Sequence, residues 1–92
     1  MAIPRDKAGV LTEEELRDVG ILETYIDSVL DARFDPHIGA GVGFQLEGLE
    51  TVLRARHPSS TGVSERVMRE VCHRFREAGW QIVVRNDSYY FR

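Results

Sequence analysis

Leu16, Val19, Leu22, Ile26, Val29 and Leu30 recur at spacings of three and four, with Arg33 continuing the line. That pattern predicts an apolar stripe on an amphipathic helix of roughly 20 residues. The stretch LTEEEL opens it. Thr12 stands as N-cap, Glu15 three residues on completes a capping box, and Leu11 is placed to staple to Leu16. Three glutamates in the first turn suit the positive end of the helix dipole. Gly20 inside the stripe costs about 1 kcal/mol relative to alanine and permits a bend. DPHIGAGVG then breaks the helix, because Pro36 forbids its simple continuation and glycines follow at 39, 41 and 43. Val42, Phe44 and Leu46 alternate and predict a short strand. Leu49, Val52 and Leu53 predict a short helix from Gly48 to Arg56, with HPSSTG as a turn. The best-patterned helix follows: Val67, Val71 and Phe75, with Met68, Cys72 and Ala78, form one broad apolar face, capped by Ser64 and closed by Gly79 at C′.

The segment GWQIVVRNDSYYFR changes the period to two. With Asn86-Asp87 as a two-residue primed turn, Arg85 faces Ser88, Val84 faces Tyr89, Val83 faces Tyr90 and Ile82 faces Phe91. In that register Trp80, Ile82, Val84, Tyr89 and Phe91 share one face, the core side. Gln81, Val83, Arg85, Ser88, Tyr90 and Arg92 share the other, which faces solvent or a partner. An isolated hairpin is marginal in water, so the 42–46 strand is expected to join it as a third. The fold class is therefore α+β, with two to three helices packed on a small antiparallel sheet that ends in a C-terminal β-hairpin. Residues 11–92 form the domain and residues 1–10 a loose arm.

Composition narrows the setting. The 92 residues suffice for one small domain, and 42% are hydrophobic, so a folded core is expected. A single cysteine, Cys72, excludes an intrachain disulfide and points to a reducing, cytoplasmic location. No apolar run is long enough for a membrane span, and MAIPRDKAG does not read as a signal peptide. The formal net charge of −3 is unevenly distributed. Residues 1–50 carry eleven acids against four basic residues, and residues 51–92 carry eight arginines against four acids. Such asymmetry points to pairing of the two halves within the fold, to a charged partner, or to self-association of opposite faces.

Candidate chemistry is sparse. GAGVG precedes a strand rather than a helix, and the chain's one lysine is Lys7, so neither a dinucleotide fingerprint nor a Walker loop is present. Among Asp35, His37, His57, Cys72 and His73 no pair has zinc-finger or metalloprotease spacing. Cys72 and His73 are helix neighbours whose side chains diverge by about 100°. No metal, cofactor or catalytic constellation is assembled, and a non-enzymatic role is expected. On the helix from Ser64 to Gly79, Glu65 to Arg69 and Glu70 to Arg74 have the favourable i,i+4 order, and His73 can pair with Glu77.

The order helix, strand, helix, helix, strand, strand resembles a winged-helix domain. That resemblance implies DNA contacts from Arg66, Arg69, His73, Arg74 and Arg76 on the third helix, and from Arg85 and Tyr90 in the wing, with Arg54 and Arg56 on phosphates. A second likeness is carried by Val67, Val71, Phe75, Gly79, Trp80, Ile82, Val84, Tyr89 and Phe91. This helix ending in Gly-aromatic and followed by a closing hairpin is similar to many small bacteriophage proteins. It implies an accessory protein that regulates or inhibits host machinery by binding, in the host cytoplasm. The leading expectation is a protein-binding module presenting Glu13, Glu14, Asp18, Asp27 and Asp31 to a basic partner. The alternatives are a winged-helix-like DNA binder and a homodimer through the free strand edge or the apolar surface of the hairpin.

Overall fold

The computed structural model describes residues 11–35, 37, 41–60 and 62–92. The expected arm over residues 1–10 lies outside them, as do Pro36, Gly39 and Thr61 of the predicted loops. Six elements follow in order: α1 (Glu13–Arg33), β1 (Val42–Gln45), α2 (Leu46–Arg56), α3 (Glu65–Glu77), β2 (Ile82–Arg85) and β3 (Ser88–Phe91).

Local chemistry accounts for most of these boundaries. At α1 the capping box is complete: Glu15 N donates to Thr12 Oγ1 and Thr12 N to Glu15 Oε1, both at 3.1 Å. Val67 N donates to Ser64 Oγ at the start of α3, and Gly79 takes φ +100° just past its end. Asn86 and Asp87 adopt φ of +46° and +62°, the two positive values a type I′ turn requires. The hairpin register is the expected one, Arg85 opposite Ser88 through Ile82 opposite Phe91. β1 joins on the other side of β3, with Val42 opposite Phe91 and Phe44 opposite Tyr89, to give an antiparallel sheet of order β1-β3-β2.

Three helices and this sheet make the α+β fold expected from the sequence. Val19, Leu22, Ile26 and Leu30 of α1, Leu49 and Leu53 of α2, and Val67, Met68, Val71, Cys72 and Phe75 of α3 are buried together with Val42, Phe44, Ile82 and Phe91. Phe91 anchors the sheet to this core, edge-on to Phe44 at 5.3 Å and to Phe75 at 5.2 Å. Helices therefore cover one face of the sheet. Among the described residues none lies on the other.

Three expectations need correction. Leu46 begins α2 instead of ending β1; its N–H is bonded at 2.8 Å to the Asp87 carbonyl, so the chain turns into the helix where it meets the hairpin turn. Leu16 is 45% exposed, because the capped first turns of α1 lie at the margin of the core. Val84 is 52% exposed, although its expected face-mates Ile82 and Phe91 are buried and Trp80 and Tyr89 half-buried. A cleft of about 210 Å³ separates Val84 and Tyr89 from Met68, Arg69, Cys72 and Arg76, so α3 covers the hairpin at its open end but not next to its turn.

Candidate binding surfaces

Exposed acids of α1 form the first surface. Glu13, Glu14, Asp27 and Asp31 are exposed, and none has a cationic partner among the described residues. Glu13, Asp27 and Asp31 fall about four and five whole turns apart and so share one line along the helix. The C-terminal part of this line borders Phe34 and Trp80, half-buried rings that meet edge-on at 4.8 Å. Asp27, Leu30, Asp31, Phe34 and Trp80 enclose a shallow hollow of about 350 Å³. Partial burial, reinforced by Glu23, pushes the Asp27 carboxyl above its ordinary range.

Asp18 departs from this surface. It is 5% exposed and points inward, where His57 Nδ1 lies 2.7 Å from Oδ1 and Ser60 Oγ donates to Oδ2 at 2.9 Å. A carboxylate only accepts, so Nδ1 carries the proton in this bond. Ser60 Oγ also accepts from Gly62 N at 3.2 Å. The network ties the α2–α3 loop to α1 and satisfies each buried polar atom it contains. Although Asp, His and Ser are the residue types of a hydrolytic triad, the hydroxyl here is bonded to the carboxylate and not to the imidazole. It is not arranged for removal of its proton by His57. Sequence reasoning missed this contact because His57 and Asp18 are 39 positions apart.

The arginines form two groups. Those of α3 are largely engaged. Arg69 pairs with Glu65 at 3.1 Å, and Arg74 pairs with both Glu70 at 3.2 Å and Glu23 at 2.9 Å. Arg66 lies 3.4 Å from Glu15, His73 lies 3.7 Å from Glu77, and Arg76 donates to the Ile82 carbonyl at 3.4 Å. The i,i+4 pairs were legible in the sequence, whereas the links to Glu15 and Glu23 cross between helices. Hydrogen bonds from Arg74 to Glu23 and Glu70 raise its already high pKa. Arg54 and Arg56, exposed in the last turn of α2, and Arg85 and Arg92, exposed on the sheet, have no carboxylate partner among the described residues.

On the uncovered face of the sheet Tyr90 lies between Gly43 and Val83. A Cβ at Gly43 would stand 3.1 Å from Tyr90 Cε1 and 3.2 Å from Cδ1, and one at Gly41 would stand 3.3 Å from Arg92 Cγ. Gly41 and Gly43 thus serve as flat seats for an arginine stem and a ring. Gly41, Val83, Arg85, Tyr90 and Arg92 border a hollow of about 440 Å³.

Cys72 is buried in the core, and burial pushes its thiol pKa up despite the opposing effect of Arg76. Among the described residues, no three histidine, cysteine or carboxylate side chains converge to hold a metal ion, and no helix is long and apolar enough to cross a membrane. Comparisons with known protein families, with curated proteins and with solved structures find no match to this chain.

Proposed function

We propose that this chain is a non-enzymatic protein-binding module that engages a basic partner through the exposed acids of α1. The contrast between the two charged helices carries the reading. Arg66, Arg69 and Arg74 of α3 lie against carboxylates of their own helix and of α1 and Arg76 bonds the Ile82 carbonyl, while Glu13, Glu14, Asp27 and Asp31 are left unmatched on one helix among the described residues. Unmatched surface charge steers a partner of opposite sign, whereas neutralised charge does not. Phe34 and Trp80 beside Asp27 and Asp31 add apolar area next to the charge, the combination that suits the stem and head of an arginine or lysine. The likeness of the helix-Gly-Trp-hairpin segment to small phage proteins supports a regulator or inhibitor of host machinery.

The test is binding of a labelled arginine-rich peptide, followed by anisotropy, with the wild type and with Asp27→Lys/Asp31→Lys. The reading expects micromolar binding at physiological salt that the double reversal abolishes. Equal binding by both proteins would sink it.

A second reading has one specific observation in its favour. The elements run helix, strand, helix, helix, strand, strand, the order of a winged-helix domain. A duplex-DNA binder of that kind requires the α3 arginines to exchange their carboxylates for phosphates. Arg69→Ala and Arg74→Ala would then each weaken duplex binding and reduce its salt slope by about 0.9.

A further inference from the structure

The sheet face that no described helix covers carries arginines, an aromatic ring and small or amide side chains. Its outward positions are Gly43 and Gln45 on β1, Val83 and Arg85 on β2, and Ser88 and Tyr90 on β3, continued by Gly41, Gln81 and Arg92 at the strand ends. None of these is a carboxylate, in a chain where acids outnumber lysine and arginine by 15 to 12. Arg85 and Arg92 face solvent without an acid partner among the described residues, unlike the ion-paired arginines of α3.

Tyr90 sits at the centre. Gly43 has no side chain, so the ring leans across β1 with its neighbouring backbone close beneath, and the residue remains 41% exposed. Arg92 follows two residues on, just past the end of β3, and Arg85 opposes Ser88, two residues the other way. At the rise of a β-strand each cation stands about 7 Å from Tyr90 along the strand direction, and the pair spans about 13 Å.

We propose that this face binds single-stranded nucleic acid, with Arg85 and Arg92 on phosphates either side of a base stacked on Tyr90. An aromatic platform between cations on a bare sheet is a general solution for unpaired strands. A duplex keeps its bases stacked on one another and offers no free face to the ring. A second copy of this chain is a poor occupant. A two-fold arrangement of this face on itself brings four arginines together with no acid to offset them. The acids of α1 take no part, so this inference stands or falls independently of the proposed protein partner.

The test is fluorescence anisotropy with labelled oligothymidylate and oligouridylate of about 12 nucleotides, and with a duplex of equal length, from about 50 to about 200 mM salt. Two phosphate contacts on a single strand give a log–log salt slope of about −1.4, a loss of roughly sevenfold across that range. Tyr90→Ala is expected to weaken binding on the order of tenfold, and Tyr90→Phe to leave it unchanged. Arg85→Gln/Arg92→Gln should abolish the salt dependence. Gly43→Ala should weaken binding by lifting the ring. Thermal melts confirm that each variant is folded, and the tyrosine and arginine positions are exposed enough to be replaced without disturbing the core. The proposal is overturned by absence of single-strand binding at the lower salt, by equal or tighter binding of the duplex, or by wild-type affinity in folded Tyr90→Ala. A dimer in sedimentation that Tyr90→Ala dissociates would also overturn it.

Discussion

His57→Ala would leave the Asp18 carboxylate inside the protein with only the Ser60 hydroxyl as a partner. Asp18 and His57 side chains are each 7% exposed, so the remaining charge can recover little hydration without local opening. Removing the hydrogen-bond donor that compensates a buried carboxylate leaves its charge unmatched, a loss of about 3–5 kcal/mol. Since Ser60 Oγ still donates to Oδ2, the lower end, about 3 kcal/mol, is expected here. For a domain of this size that is a fall in melting temperature of about 12–24 °C. Asp18→Ala should cost less, about 1–3 kcal/mol, because it strands a neutral donor and a hydroxyl and leaves no charge. Replacing both by alanine removes the polar groups together and should cost less than the sum of the single changes by at least about 1 kcal/mol. Urea denaturation followed by the fluorescence of Trp80, the only tryptophan, supplies the three free energies of the cycle. Single variants that each cost under about 0.5 kcal/mol, or a double variant equal to their sum, would refute the account of this pair as a buried tie between α1 and the α2–α3 loop.

Other expected outcomes follow from the same contacts. Arg69→Ala removes an exposed i,i+4 pair and should shift stability by no more than about 0.5 kcal/mol. Arg74→Ala releases two carboxylates on two helices and should cost more, about 1 kcal/mol after allowance for solvent screening, with added salt narrowing the gap in urea melts. Asp87→Gly should raise the urea midpoint by about 0.5 kcal/mol equivalent, since glycine takes the positive φ of this turn position more readily than aspartate. Cys72 should react slowly with iodoacetamide in the native protein and rapidly in denaturant, because burial both hides the thiol and raises its pKa; mass spectrometry at intervals distinguishes the two rates. Asp27→Asn should stabilise the protein at neutral pH and not below about pH 3.8. With its folded pKa raised, the native carboxyl resists ionisation, so stability is lost as pH rises from the unfolded toward the folded value; chemical melts across that range read the difference.

Contacts a few residues apart along the chain were legible in the sequence. Thr12 and Glu15 cap α1, Ser64 caps α3, Gly79 closes it, and Asn86-Asp87 sets a register that carries Val83 to Tyr90 and Ile82 to Phe91. Hydrogen bonds over two to four positions, and side-chain periods of 2 and 3.6, depend on local geometry alone, so residue type and spacing specify them. The tertiary structure decided what those elements face. Asp18 looked like one more acid on a charged helix until His57 and Ser60 reached it from the α2–α3 loop. Val84 shared the period of a core strand, yet among the described residues no helix covers it, since periodicity says which side a residue points to and not how far the opposing layer extends. Glu15 and Glu23 met arginines of α3 across a helix interface, and so turned an apparent cationic surface into a neutralised one. Gly41 and Gly43 proved to be seats for Arg92 and Tyr90, a role set by the neighbouring strand and invisible in the glycines themselves. Each of these depends on which elements meet in space, and that follows from burial of the shared core, which brings together residues that no local spacing relates.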